Sequence, residues 1–181
     1  MGNEGRRYWK LGKQTAFSCY PGSKKEMQKA KKVNQGITLE KIEKILNCCK
    51  SFIGCFARDQ LDNLAITSFP CFLIVNTDRL GGKGLHWIAL RISNRTIELF
   101  DSLGLLFQNQ LPLDILAFIQ RFTVSRTFKF SVRVQPDNSV LCGFYCMCFI
   151  FLRQHCSFRQ LQNFFSDDLI RNDTIIIKFF K

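Results

Sequence analysis

Histidine is nearly missing from this chain: 181 residues hold only two, His86 and His155. Chemistry that needs an imidazole near neutral pH therefore has two candidates and no more. Tyrosine and tryptophan are scarce as well, with three and two copies, although phenylalanine reaches 19. The longest apolar run, Val140 to Leu152, is too short to span a bilayer, so no membrane partner is expected. The N-terminus is polar and charged and lacks an apolar segment of secretory type. The nine cysteines are therefore expected to be mostly reduced thiols in a cytosolic or nuclear setting. Cys48, Cys49 and Cys55 do not have the CxxC spacing of a zinc site. Neither a metal nor an organic cofactor is expected. Internal repeats and low-complexity segments are lacking too.

Acidic residues are outnumbered, 14 against 26 Lys and Arg, for a net charge of +12. Residues 1–36 carry nine of the basic residues and two Glu. They read as a basic, flexible extension with scattered glycines, in which Tyr8, Trp9 and Phe17 are the side chains able to dock. Such a segment attracts nucleic acid through a salt-sensitive, non-specific term, and reads equally well as a solubilising arm. Lys24 to Lys32, KKEMQKAKK, fits a weak nuclear import signal. With 46% hydrophobic residues the rest can build one core, and a compact domain is expected over residues 37–181.

Within that domain the apolar spacing of Leu39, Ile42, Ile45 and Leu46 predicts a helix to about Cys49. Pro70 opens CFLIVNT, a continuous apolar run that fits a buried strand. Leu85 to Ile92 and Arg95 to Asp101 read as a hairpin. A tight loop at Ser93-Asn94 would set Leu90 opposite Ile97, Ile88 opposite Leu99, Trp87 opposite Phe100 and His86 opposite Asp101. The register that matches apolar with apolar thus also brings an imidazole beside a carboxylate. A helix is expected over Leu113 to Phe122, and a half-buried strand over Phe128 to Gln135. A helix that is apolar on nearly all sides should run from about Leu141 to His155. A last helix, Arg159 to Asp168, and a short strand, Thr174 to Phe180, would close the chain.

The chemistry gathers around VQPDNSVLCGFYCMCFIFL. Cys142 stands at the expected start of the apolar helix, where unpaired N–H groups and partial positive charge favour a thiolate. Gly143 would leave room for a substrate backbone. Gln135 lies seven residues earlier across a PDNS turn. Its amide and the Cys142 backbone N–H form a candidate oxyanion hole, each donor worth roughly 10²–10³ in rate. With His86 as base and Asp101 as its orienter, the set is nucleophile, base, acid and oxyanion donors. A buried helix with inert cysteines explains the same stretch. Trp87 either shields the pair from water or belongs to the core. His155, at a helix end, fits an ordinary structural role.

GGKGLHWIAL, ELFDSLG and VQPDNSVLCGFYCMCF, in that order, resemble the adenovirus endopeptidase (adenain) family of cysteine proteases. CCKSFIGCFARDQL and CFLIVNTDR resemble its N-terminal region, so the likeness covers residues 38–152. The spacing of seven between Gln135 and Cys142 matches that family. In the related SUMO-specific proteases the gap is usually six, with an aspartate before the cysteine where this chain has Leu141. The resemblance implies an α+β cysteine-protease fold of the adenain/SUMO-protease type, with a mixed sheet and a central buried helix carrying the nucleophile. It also implies cleavage of virion precursor proteins after small residues, in the host nucleus and virion, with activation by DNA and a viral peptide. Three features depart from the family. Asp101 stands where adenovirus enzymes mostly have glutamate. No cysteine falls between Cys71 and Cys142, and Val124 lies about where the peptide-linking cysteine would be, so a disulfide-linked activator is not carried over. Only 39 residues follow Cys142, while the basic extension is additional. Two other readings share the same residues: a ubiquitin-like-protein (SUMO-type) protease, and an inactive protease fold that binds nucleic acid.

Overall fold

The computed structural model describes residues 3–19, 36–106 and 109–180; the Lys24 to Lys32 stretch lies outside them. In chain order the elements are α1 (Asn3–Cys19), α2 (Leu39–Leu46), β1 (Phe52–Ala57), β2 (Cys71–Asn76), β3 (Trp87–Ile92), β4 (Thr96–Phe100), α3 (Leu113–Thr123), β5 (Thr127–Phe130), α4 (Cys142–Arg153), α5 (Phe158–Gln162) and α6 (Leu169–Phe179). The strands form one mixed sheet in the order β1-β2-β3-β4-β5. The outer pairs are parallel and the two central pairings, β2 with β3 and β3 with β4, are antiparallel. The protein is therefore α+β.

The sheet is covered on both faces, which explains the unbroken apolar run of β2. Phe72 and Ile74 face a core built around α4, while Cys71, Leu73 and Val75 face a second core under α3. Helix α4 lies deep in the first core: every residue from Gly143 to Leu152 is buried. A helix apolar on all sides finds its energy minimum in such a place. A buried ion pair ties it to the sheet. The Arg153 guanidinium forks onto the Glu98 carboxylate at 2.7 and 2.8 Å, and Arg91 reaches the same group at 3.4 Å.

Four expectations are corrected. The first concerns the N-terminal segment, where residues 3–19 form a helix rather than a flexible chain. Trp9 holds it down, stacked on Phe164 at 5.4 Å and edge-on to Phe179 at 5.0 Å. Gly12 lets the helix approach Leu152, whose Cδ2 lies 2.8 Å from where a Cβ would stand. The second is the hairpin register. Ile92 pairs with Ile97 and Leu90 with Leu99, two residues from the expected partners. The turn falls on Asn94-Arg95 because the Ser93 hydroxyl closes it, donating to Thr96 O at 3.0 Å and accepting from Thr96 N at 3.0 Å. A slip of two keeps every side chain on its face, so the apolar matching survives.

The third correction is β5, which ends at Phe130. Ser131 N still donates to Leu99 O at 3.0 Å, but Val134 N and Gln135 N both turn to Ser102 O at 2.9 Å. Phe130 and Val132 are left exposed. The last is the C-terminus, where Thr174 to Phe179 is helical. The Asp168 carboxylate caps α6 by accepting from Arg171 N at 3.1 Å. Asn172, Ile176 and Phe179 are buried at helical spacing. Packing overrides the strand preference of the β-branched run. The other expected helices hold, with α2, α4 and α5 shorter than expected. No helix among the described residues is long and apolar enough to cross a membrane.

Candidate active site

His86 is delivered by a loop that is tied at several points. Asn76 Oδ1 accepts from Asp78 N at 2.9 Å and Leu85 N at 3.4 Å, and Asp78 Oδ2 accepts from Gly84 N at 3.2 Å. Gly84 supplies the positive φ of 79° that the return needs. The Thr77 N–H then bonds His86 O at 2.8 Å, just before β3 begins.

The imidazole Nε2 lies 2.8 Å from Asp101 Oδ1. His86 is 5% exposed and Asp101 1%. Asp101 follows β4 directly and is locked from both sides. Its carboxylate accepts from Leu103 N at 3.0 Å and Leu105 N at 2.5 Å. Its backbone N–H and C=O both bond the Ser131 hydroxyl, at 2.8 and 2.9 Å. Gly104, with φ of 70°, turns the chain so that both flanking N–H groups face the acid.

Nε2 is bonded to Asp101, and Cys142 is the second side chain whose proximity acts on the ring. Burial alone would lower the His86 pKa. The bonds to Asp101 and Cys142, with their negative charge, outweigh it and raise the pKa to about 9. These contacts favour the protonated ring.

Cys142 is the first residue of α4, where helix N–H groups point outward. One turn on, the Cys146 thiol donates to Trp87 O at 3.2 Å and fixes the helix against the strand that follows His86. The space over Gly143 is not open to a substrate. A Cβ there would lie 2.3 Å from Ile37 Cγ2 and 3.3 Å from Trp87 Cδ1. The missing side chain lets α4 seat under Ile37 and Trp87, which corrects the expected role of Gly143.

Gln135 is 1% exposed. Ser102 Oγ donates to its Oε1 at 2.6 Å, and its Nε2 donates to Ser139 O at 2.8 Å. A carbonyl can only accept, so the orientation of the amide is fixed. One Nε2–H is used by Ser139 and the amide carries a second. His86, Trp87, Gln135 and Cys142 line a single groove of about 710 Å³, rimmed by Gly36 to Glu40 on one side and Arg79 to Leu85 on the other.

All the expected site residues except Gly143 therefore meet at one groove, with Asp101 behind His86. Ser102, Ser131 and Ser139 were not expected. They orient the acid and the amide through backbone and loop bonds that no periodicity in the sequence signals.

Burial raises the thiol pKa of Cys49, Cys55, Cys71, Cys146, Cys148 and Cys156. Cys142, half-buried, is the cysteine that lines the groove. Cys48 is disulfide-bonded. Among the described residues no group of three or more His, Cys, Asp or Glu is placed to hold a metal ion. No protein-family model matches the sequence, and no curated protein matches it.

Proposed function

We propose that this protein is a cysteine endopeptidase working through a thiolate–imidazolium pair. The observation that carries the reading is His86, bonded to the buried Asp101 carboxylate and sharing one groove with Cys142 at a helix start. The Cys142 sulfur attacks a peptide carbonyl. The Cys142 N–H and the second Gln135 Nε2–H donate to the oxyanion. His86 gives its Nδ1 proton to the leaving amine, and the acyl-enzyme forms. The neutral imidazole then takes a proton from a water whose oxygen attacks the thioester carbonyl; the C–S bond breaks, the acid leaves, and the thiolate–imidazolium pair is restored. Asp101 holds the ring by its other nitrogen and stabilises each imidazolium state.

The same reading extends to an adenain-type fold and to virion precursor proteins as substrates, cut in the host nucleus and virion, with DNA as a stimulator bound through the basic surface. It rests on the order of His86, Asp101, Gln135 and Cys142 along the chain. A viral peptide activator belongs to it too. Val124, at the end of α3, has no thiol, so that peptide would be held without a disulfide there.

The test is hydrolysis of a fluorogenic Leu-x-Gly-Gly peptide, with and without DNA, beside Cys142→Ala. The wild type turns over, DNA raises the rate, and Cys142→Ala abolishes it. Undiminished hydrolysis by Cys142→Ala refutes the proposal. Cleavage confined to folded ubiquitin-like fusions would assign the site to that substrate class instead.

A further inference from the structure

The turn between Gln135 and Cys142 carries both proposed oxyanion donors at its ends, and the last helix of the chain grips it. Asp173, on α6, accepts from Ser139 Oγ at 3.1 Å and from Tyr145 OH at 2.9 Å, both at Oδ1. Ser139 in turn contacts both halves of the oxyanion site. Its carbonyl accepts the Gln135 Nε2–H at 2.8 Å, and its hydroxyl oxygen accepts Leu141 N at 3.3 Å, one residue before Cys142. The neighbouring Asn172 holds the start of the turn. It is fully buried and donates to Val134 O at 2.9 Å and Ser166 O at 2.8 Å, while its Oδ1 accepts from Ser166 N at 2.8 Å. Tyr145 stands on α4 itself, one turn past Cys142, so Asp173 joins the nucleophile helix to the turn that precedes it.

We infer that Asp173 is a positioning residue for the oxyanion site, acting through the Ser139 hydroxyl to set the Gln135 amide relative to the Cys142 N–H. What it positions rests on the peptidase reading; that it orders the Gln135 amide does not. A carboxylate partly withdrawn from water is costly, and burial does raise the Asp173 pKa, with the two hydroxyl bonds offsetting part of the rise. A single oxygen that receives two hydroxyls from different elements fixes both at once. Removing the side chain frees the Ser139 hydroxyl to rotate and loosens the carbonyl to which Gln135 is bonded. A donor displaced from its aim loses part of its contribution of roughly 10²–10³ in rate.

Two measurements test this. In peptide hydrolysis, Asp173→Ala lowers kcat about tenfold at unchanged KM, a fraction of the full donor contribution. Asp173→Asn keeps the Oδ1 acceptor and restores the rate. Ser139→Ala, which leaves α6 intact, gives the same loss should Asp173→Ala fold poorly. In a Gln135→Ala background Asp173→Ala has no further effect, since the pathway runs through that amide. An equal loss in both backgrounds, or no rescue by Asp173→Asn, overturns the inference.

The second measurement is hydrogen exchange of the Gln135 side-chain amide by NMR, which needs no turnover. Asp173→Ala and Ser139→Ala both speed it, and Asp173→Asn does not. Unchanged exchange in both overturns the inference whether or not the protein is a peptidase. A wild type that hydrolyses nothing sinks the peptidase reading, and the exchange result then decides the role of Asp173.

Discussion

Replacing Asp101 by Asn removes one negative charge and one acceptor from a pocket that uses both. Oδ1 accepts from His86 Nε2 and Leu103 N, and Oδ2 accepts from Leu105 N. Whichever way the new amide points, its NH₂ faces an N–H group, and a buried donor left facing a donor costs about 1–3 kcal/mol. The charge contributes separately. Raising the His86 pKa from 6.5 to about 9 corresponds to roughly 3 kcal/mol of stability, and the Asp101 hydrogen bond is the largest of the causes that raise it. Because the folded pKa is the higher one, that stability is fully present below pH 6.5 and is lost as pH climbs through about 9. Asp101→Asn is therefore expected to lose about 3–5 kcal/mol at pH 6 and only about 1–3 kcal/mol at pH 9.5. Urea unfolding of both proteins at the two pH values gives these differences. NMR titration of the imidazole, with His155 as the only other histidine signal, gives the pKa directly. A destabilisation that is the same at both pH values, or a His86 midpoint unmoved by the substitution, refutes the reasoning.

Three other perturbations probe the scaffold. Arg153→Met leaves the 1%-exposed Glu98 carboxylate to Arg91 at 3.4 Å and should cost about 1–3 kcal/mol in urea unfolding; a loss under about 0.5 kcal/mol would mean that the Arg153 fork adds nothing to the Arg91 contact. Gly143→Ala drives a methyl group into Ile37 Cγ2 and should destabilise by about 1–3 kcal/mol, with Ile37→Ala restoring part of it in the double variant. An additive double variant would show that the two residues do not collide. Trp9→Ala removes two ring pairs, worth roughly 0.5–1.5 kcal/mol each beyond area burial. It should expose α1 to limited proteolysis, and unchanged protection would argue that Trp9 does not hold the helix.

The alternation of β3 and β4 was enough to bring His86 and Asp101 to one end of one hairpin, because a slip of two residues preserves the faces. They meet there through side chains rather than as opposed strand residues. The all-apolar character of Phe144 to Leu152 likewise foretold a central helix. β1 was not legible. A bulge lies between Phe52 and Cys55, and Gly54 takes a φ of 136°, so the two-residue period that marks a strand is broken. The C-terminal half of α6 is not legible either, because Thr174 to Ile177 carries strong strand preference and the burial that decides the matter comes from elements distant in sequence. The serines that orient Asp101 and Gln135 were invisible for a similar reason. Ser131 and Ser102 act only once β5 and the loop after β4 lie side by side.

The central claim is that one thiol, paired with His86, attacks a bound carbonyl. The most direct test is reaction of the protein with a Leu-x-Gly-Gly vinyl sulfone, followed by mass spectrometry of every cysteine-containing peptide. The account predicts a single adduct, on Cys142 among the nine cysteines, lost in His86→Ala. No adduct on Cys142, or undiminished labelling of Cys142 without His86, contradicts it.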